Sequence, residues 1–423
     1  MDGLDKCRDG LKWDDGGFDL KPRWAREPQL DAVTQLCRRV LGLARDDHCH
    51  VTFHAEGAFN KLYLVDGPRG KCLLRVSLPV DPAHKTRGES TTLRWIRRMT
   101  LVPVPKVIAF DDSRDNEIGF EWILMELMPG VSAYARWRKM SMADKTRLVE
   151  QIVDFQSQLF RRSIEDAKFQ SIGTLFSENR PADIAAEPAV FDPKPGRLVS
   201  RFFWGDHFQY DVPRGPFPSS YDWLSTYLGI ICQEQTDILQ NDDDEDVRED
   251  AESSLQVATK LTALLPKIFP PLQHPAERTV LWHDDLSLSN ILVDADGTDD
   301  AKVTAILDWE CVSCQPLWAA TEMPEFLLGP TREAEPVRDG YADDDGDEDV
   351  GVRADDGLDN EGKTELYWIH RMEYDMTRLR KVYKERMEQL VPWWEMEVRY
   401  GALKLDFLGA VARCAAGWHL KGV

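Results

Sequence analysis

A chain of 423 residues, 43% hydrophobic and 10% aromatic, is long enough for two domains or one large two-lobed fold with a sizeable core. Its 52 basic and 74 acidic residues leave a net charge of −22. That is the wrong sign for releasing counterions from nucleic acid or anionic lipid, so neither is expected as a partner. Two runs, 242–250 and 343–361, carry −15 of that charge and few apolar residues, so both are expected to be solvated, disordered surface inserts. Eight cysteines are too dilute for a disulfide framework, and Cys311-Val-Ser-Cys314 has no second pair to complete a zinc site, so core packing is expected for it. The start, Met1-Asp2-Gly3-Leu4-Asp5, lacks the apolar segment of a secretory signal, and no run of about 18 apolar residues exists. A cytoplasmic protein without a membrane partner is expected.

Along the chain, Leu30, Val33, Leu36, Cys37, Val40 and Leu41 fall on one face of a helix. Short segments with strand character follow: Val51 to His54, Leu62 to Val65, and Cys72 to Val76, the last two joined by Asp66-Gly67-Pro68. Such short turns predict an antiparallel sheet, because parallel strands need long crossovers. A helix around Glu89 to Ile96 precedes two further strands, Val107 to Phe110 and Phe120 to Met125. Beyond Met128-Pro129-Gly130 the patterns become helical, through Leu148 to Phe160, Leu255 to Leu265, Tyr367 to Met387 and Trp394 to Trp418. The architecture implied is α+β, with a small antiparallel-sheet lobe and a large helical lobe. The boundaries drawn from the sequence are an N-terminal extension at 1–47 whose helix packs on the sheet lobe, the sheet lobe at 48–128, and the helical lobe at 129–423.

The chemistry concentrates between Val280 and Glu310. His283-Asp284-Asp285-Leu286-Ser287-Leu288-Ser289-Asn290 has apolar strands on both sides and is followed by Asp308-Trp309-Glu310. Three hard oxygen-bearing groups, at 285, 290 and 308, thus sit on loops pinned by buried strands. Phosphoryl transfer needs such a set: one carboxylate to orient or deprotonate an acceptor hydroxyl, and an amide oxygen with a second carboxylate to hold Mg²⁺.

These motifs resemble the aminoglycoside phosphotransferase (choline-kinase-like) family, which shares the protein-kinase fold, and within it an uncharacterised fungal branch. Phe53 to Tyr63, Leu74 to Pro79 and Pro103 to Val107 add to the likeness, which covers about residues 50 to 325. The resemblance implies an ATP- and Mg²⁺-dependent kinase of a small-molecule acceptor, in a bilobal protein-kinase-like fold. It makes Asp285 the catalytic base, Asn290 and Asp308 the Mg²⁺ ligands, and His283 a structural brace of the loop. Asp284 stands where relatives often carry Gly and is expected to be exposed. On the nucleotide side it implies Gly57 and Asn60 in the phosphate loop and Arg75 paired with Glu89. Glu126 and Leu127, after Met125, would form the hinge that meets an adenine edge, and Glu310 is expected to face the phosphate acceptor.

Two departures stand out. Arg75 occupies the position of the usual strand lysine, and the phosphate loop has a single glycine. Both favour a second reading, a nucleotide-binding pseudokinase that serves as a scaffold. Met323-Pro324-Glu325 echoes the end of a protein-kinase activation segment but lies 17 residues past Asp308, too close for a peptide-docking loop. Most of the 14 tryptophans fall in apolar patterns and are expected in the core.

Overall fold

The computed structural model describes residues 8–15, 20–177, 191–271, 277–295, 301–337, 341 and 364–417. The acidic run at 343–361 and the expected helix end at Trp418 lie outside them. The first described elements are an antiparallel strand pair that periodicity did not reveal, β1 (Leu11–Asp15) against β2 (Leu20–Trp24). Helix α1 (Leu30–Val40) then buries Val33, Leu36 and Cys37.

That face lies on a five-stranded antiparallel sheet. Its strands are β3 (His50–Glu56), β4 (Asn60–Gly67), β5 (Gly70–Ser77), β6 (Val107–Asp111) and β7 (Glu121–Glu126), in the order β3-β4-β5-β7-β6. Alternation divides the sheet into two faces. Cys72, Leu74 and Val76 of β5, with Tyr63 and Val65 of β4, pack with the apolar residues of α1. The opposite face carries Asn60, Arg75 and Ser77, because Asn60 stands directly across from Ser77 and Leu62 across from Arg75. Helix α2 (His84–Met99) contacts β6 and β7.

After Glu126 the chain leaves the sheet and turns at Gly130, whose φ of +117° only glycine adopts readily. A Cβ there would lie 2.4 Å from the Val293 carbonyl oxygen. This close approach lets β8 (Val131–Ser132) join β12 (Ile291–Val293) and β13 (Val303–Ile306). Short α3 (Ala133–Trp137) follows, and Ser141 with Asp144 forms a capping box on α4 (Met142–Glu165). The two-residue β9 (Leu175–Phe176) and β10 (Lys194–Pro195) pair with each other, and α5 (Ser220–Asn241) and α6 (Glu245–Ile268) pack side by side. Strand β11 (Thr279–Trp282) pairs with β14 (Ser313–Pro316), and α7 (Glu365–Leu390) and α8 (Trp394–Ala415) complete the helical part. Helix α7 lies on α4, where Lys145 meets Asp375 at 2.5 Å in the interior. The architecture is α+β, an antiparallel-sheet lobe followed by a mostly helical one. Trp95, Trp122, Trp309 and Trp394 are in its core.

The acidic run at 242–250 corrects the expectation of a disordered insert. Only 242–244 link the helices, and the remainder is the first turns of α6. The Asp244 side chain accepts from the backbone N–H groups of Asp246 and Val247, and Glu245 and Asp246 sit at the positive end of the helix dipole. Charge that reads as solvated loop is here charge placed where a helix N-terminus is stabilised by it. Cys314 is fully buried on β14, and burial raises its thiol pKa well above the ordinary range, in keeping with a packing role.

Candidate active site

Strands β11, β12, β13 and β14 are short and largely buried, and they pin two loops side by side. The first runs from His283 to Asn290. His283 donates its Nε2–H to the Leu307 carbonyl at 2.9 Å and packs edge-on against Trp309 at 4.7 Å, so it ties the first loop to the second. Asn290 donates Nδ2–H to the Asp285 carbonyl at 2.8 Å, and its own carbonyl accepts from the Leu307 N–H at 2.8 Å. Asp308 follows with φ of +60°, a left-handed conformation costly for a side-chain-bearing residue. It is held there between the Leu307 bond and the Trp309 indole, which donates to the Ile306 carbonyl at 2.9 Å.

Asp285, Asn290 and Asp308 are therefore brought together, with Asp285 and Asp308 on a cleft of about 450 Å³. The side chain of Asp285 is half exposed. With Asn290 Nδ2 committed to a carbonyl, its Oδ1 is left as an acceptor beside the Asp308 carboxylate loop. A carboxylate and an amide oxygen are a donor set that suits Mg²⁺, which takes one or two protein oxygens and completes its shell with phosphate and water. Asp284 is open to solvent at the cleft floor.

The sheet face opposite α1 meets the Asp308 loop from its other side. Arg75 meets Glu89 of α2 at 2.6 Å, Glu310 at 2.7 Å and Asp308 at 3.2 Å. Burial raises the Glu89 carboxyl to about 7 despite the Arg75 and Lys85 charges.

Glu310 lines the same cleft, but its carboxylate is engaged inward: its Oε2 lies 2.7 Å from Lys85 Nζ and accepts from Asn60 Nδ2 at 2.9 Å. Burial alone would raise its carboxyl, but Lys85 and Arg75 overcome that and hold it well below the carboxylate range. Asn60 is likewise turned inward, its Oδ1 accepting from Ser77 Oγ at 2.9 Å and Lys85 Nζ at 2.8 Å. A buried knot thus joins the phosphate-loop strand, α2 and the Asp308 loop.

Gly57 sits on the β3–β4 turn, its N–H donating to the Asn60 carbonyl at 2.9 Å, with open space over its Cα. The Glu126 N–H is spent on the Lys106 carbonyl at 2.9 Å, and its carboxylate accepts from Arg97 and the Lys106 N–H. Leu127 follows outside the sheet.

Two site residues escaped the sequence reading. Lys85 precedes Glu89 by one helical turn, a spacing that placed it on the Arg75 side once the helix start was known. Arg201, whose guanidinium lies 3.6 Å from Asp285, had no signal beyond an aromatic-rich neighbourhood.

The model of the phosphotransferase enzyme family matches residues 50–319, and the chain belongs to that family. A subtelomeric hrmA-associated cluster protein of Aspergillus fumigatus is 28% identical over 322 residues, covering 67% of this chain and 61% of that protein. The chain thus spans less than two thirds of that relative. The mitochondrial protein named altered inheritance of mitochondria 9, from Meyerozyma guilliermondii, is 28% identical over 139 residues, 31% of this chain and 22% of that one. Among solved structures, the aminoglycoside phosphotransferase APH(4)-Ia superposes with a TM-score of 0.41 at 14% identity, covering 92% of this chain and 98% of that one. No helix among the described residues is long and apolar enough to cross a membrane.

Proposed function

We propose that this chain transfers the γ-phosphoryl group of ATP, with Mg²⁺, to a hydroxyl of a small-molecule acceptor. The observation that carries the reading is the convergence of Asp285, Asn290 and Asp308 beside the Arg75–Glu89 pair. Asp285 is the general base: half exposed on the cleft, it accepts the acceptor's hydroxyl proton. A positioned base of this kind is worth roughly 10²–10⁴-fold in rate. Asn290 and Asp308 would hold Mg²⁺, which when bound neutralises charge on the phosphates. Arg75 keeps the strand cation in place, fixed from behind by Glu89, and Gly57 leaves room for phosphate to approach the loop. The Glu126 carbonyl and the Leu127 N–H would meet the adenine edge, since the Glu126 N–H is spent on Lys106. His283 braces the loop that carries Asp285. A cytoplasmic setting, rich in ATP and reducing, suits the free thiols of Cys37, Cys72 and Cys314.

The second reading, a nucleotide-binding scaffold without turnover, draws on the engagement of Arg75 by three carboxylates. One experiment separates the two: thermal shift with a non-hydrolysable ATP analogue and Mg²⁺, then a radiolabelled-phosphate screen across hydroxyl-bearing metabolites. Asp308→Ala is expected to lose the Mg²⁺-dependent part of the shift. Asp285→Ala should keep the shift and lose at least about 10²-fold in transfer. Binding without transfer to any acceptor would favour the scaffold, and wild-type behaviour of both variants would refute the site.

A further inference from the structure

Between β10 and α5 the chain makes two 3₁₀ turns, Arg201–Phe203 and Gly205–Gln209, anchored on the helical core through the buried Phe203. This segment is built as a rigid platform. Arg214 donates to the carbonyls of Phe203 at 3.0 Å, His207 at 2.9 Å and Phe208 at 2.9 Å. Phe202 stacks on Tyr227 of α5 at 4.1 Å, and the Tyr227 hydroxyl donates to Ser200 Oγ at 3.0 Å.

The platform reaches both sides of the cleft. Trp204 packs edge-on against Phe59, beside Asn60 at the start of β4, with ring centroids 4.7 Å apart. The Arg201 guanidinium lies over the same Phe59 ring at 5.5 Å and is 3.6 Å from the Asp285 carboxylate. At that separation it makes no hydrogen bond with Asp285. Its side chain is 59% exposed, so as a surface ion pair the contact would add little stability. A fork of N–H donors is thereby suspended between the phosphate loop and the base, with its hydrogen-bonding capacity unspent.

Resting on the function proposed above, we propose that Arg201 is an arginine supplied in cis to the phosphoryl group in flight. Asp285 takes the hydroxyl proton as the acceptor oxygen bonds to the γ-phosphorus. The bond from that phosphorus to the bridging oxygen breaks, and its electron pair leaves with the diphosphate. Arg201 keeps its own proton throughout and donates N–H groups to the equatorial phosphoryl oxygens, where charge is spread in the transition state. Before the phosphoryl group arrives, the same guanidinium rests against Asp285. The Phe59 and Trp204 contacts fix its height above the phosphate loop, which makes the two rings positioning residues.

The test compares nucleotides that differ only at the γ position. For Arg201→Met, ADP should bind with Mg²⁺ as it does to wild type, within about two-fold. The affinity for a non-hydrolysable ATP analogue should fall about ten-fold. The ADP–aluminium fluoride complex, which mimics the phosphoryl in flight, should be lost, and turnover should drop about 10³-fold or more. Arg201→Lys should restore part of the analogue affinity and less of the fluoride complex, since a lysine lacks the planar fork. Thermal unfolding matching wild type confirms that the platform persists. An unchanged ratio of analogue to ADP affinity and an intact fluoride complex in Arg201→Met would overturn the role of Arg201 while leaving the kinase reading standing. Absence of nucleotide binding by the wild-type chain would overturn both.

Discussion

Lys85→Met tests whether the buried knot beneath the cleft behaves as an electrostatic unit. Methionine keeps most of the volume and the apolar stem, so the change removes chiefly the ammonium. Lys85 is 1% exposed and its Nζ serves Glu310 at 2.7 Å, Asn60 at 2.8 Å and Ser77 at 3.3 Å. Removing one partner of a buried ion pair ordinarily costs about 3–5 kcal/mol, because the other charge is stranded. Here the stranding is incomplete. Glu310 keeps Arg75 at 2.7 Å and the Asn60 amide at 2.9 Å, and Asn60 Oδ1 keeps the Ser77 hydroxyl. The expected loss is therefore about 2–3 kcal/mol, below the range for a lone pair. A cycle with Glu310→Gln should show a coupling of about 2 kcal/mol, because the second change removes the charge that the first leaves short of cations. Urea unfolding followed by tryptophan fluorescence measures all four chains. A coupling below about 0.5 kcal/mol would mean that Lys85 and Glu310 are packed neighbours and that the knot does not hold Asn60 to the Asp308 loop.

Two further outcomes follow from the sheet and the turn after it. Glu121 is buried and its carboxyl is raised to about 7, desolvation outweighing the bond it accepts from the Ala83 N–H at 2.6 Å. A folded-state value above the unfolded one stabilises most below the unfolded value and the benefit is lost as pH rises through 7, so the wild-type advantage over Glu121→Gln should shrink by on the order of 3 kcal/mol between pH 4.5 and 8. A flat difference in unfolding free energy across that range would refute the assignment. Gly130→Ala places a Cβ 2.4 Å from the Val293 oxygen and 2.5 Å from Thr304 Oγ1 at φ of +117°. A loss of about 3 kcal/mol in urea unfolding is expected, and a variant within about 1 kcal/mol of wild type would show that β8 can separate from β12 without cost.

Much of this site was legible because its residues are tied to local pattern. The alternation in β4 and β5 puts Arg75 on the face opposite Leu74 and Val76, and a helix beginning before Glu89 can reach only that side. His283, Asp285 and Asn290 share one loop, so their spacing nearly determines their relation. The acidic run at 242–250 was misread because net charge does not distinguish a solvated loop from the start of a helix. The decisive feature is positional, a capping aspartate followed by carboxylates in the first turn.

Glu310 and Arg201 were beyond the sequence for a different reason: each is defined by partners far along the chain. From sequence, a carboxylate two residues after Asp308 is free to turn either way. Its direction is decided by Lys85 and Asn60, more than 200 residues earlier, which supply a cation and an amide that the cleft side does not match. Arg201 approaches Asp285 from 84 residues upstream on a platform whose only local trace is its aromatic content. The two placements also bear on each other. With the Glu310 carboxylate engaged by Lys85 and Asn60 and Arg75 held by three carboxylates, Arg201 is the cation that lines the cleft beside Asp285. The substitution of arginine for the usual strand lysine is therefore weak grounds for a dead enzyme, since that residue works within a buried positioning network and the charge that meets the transferred group can come from the opposite wall.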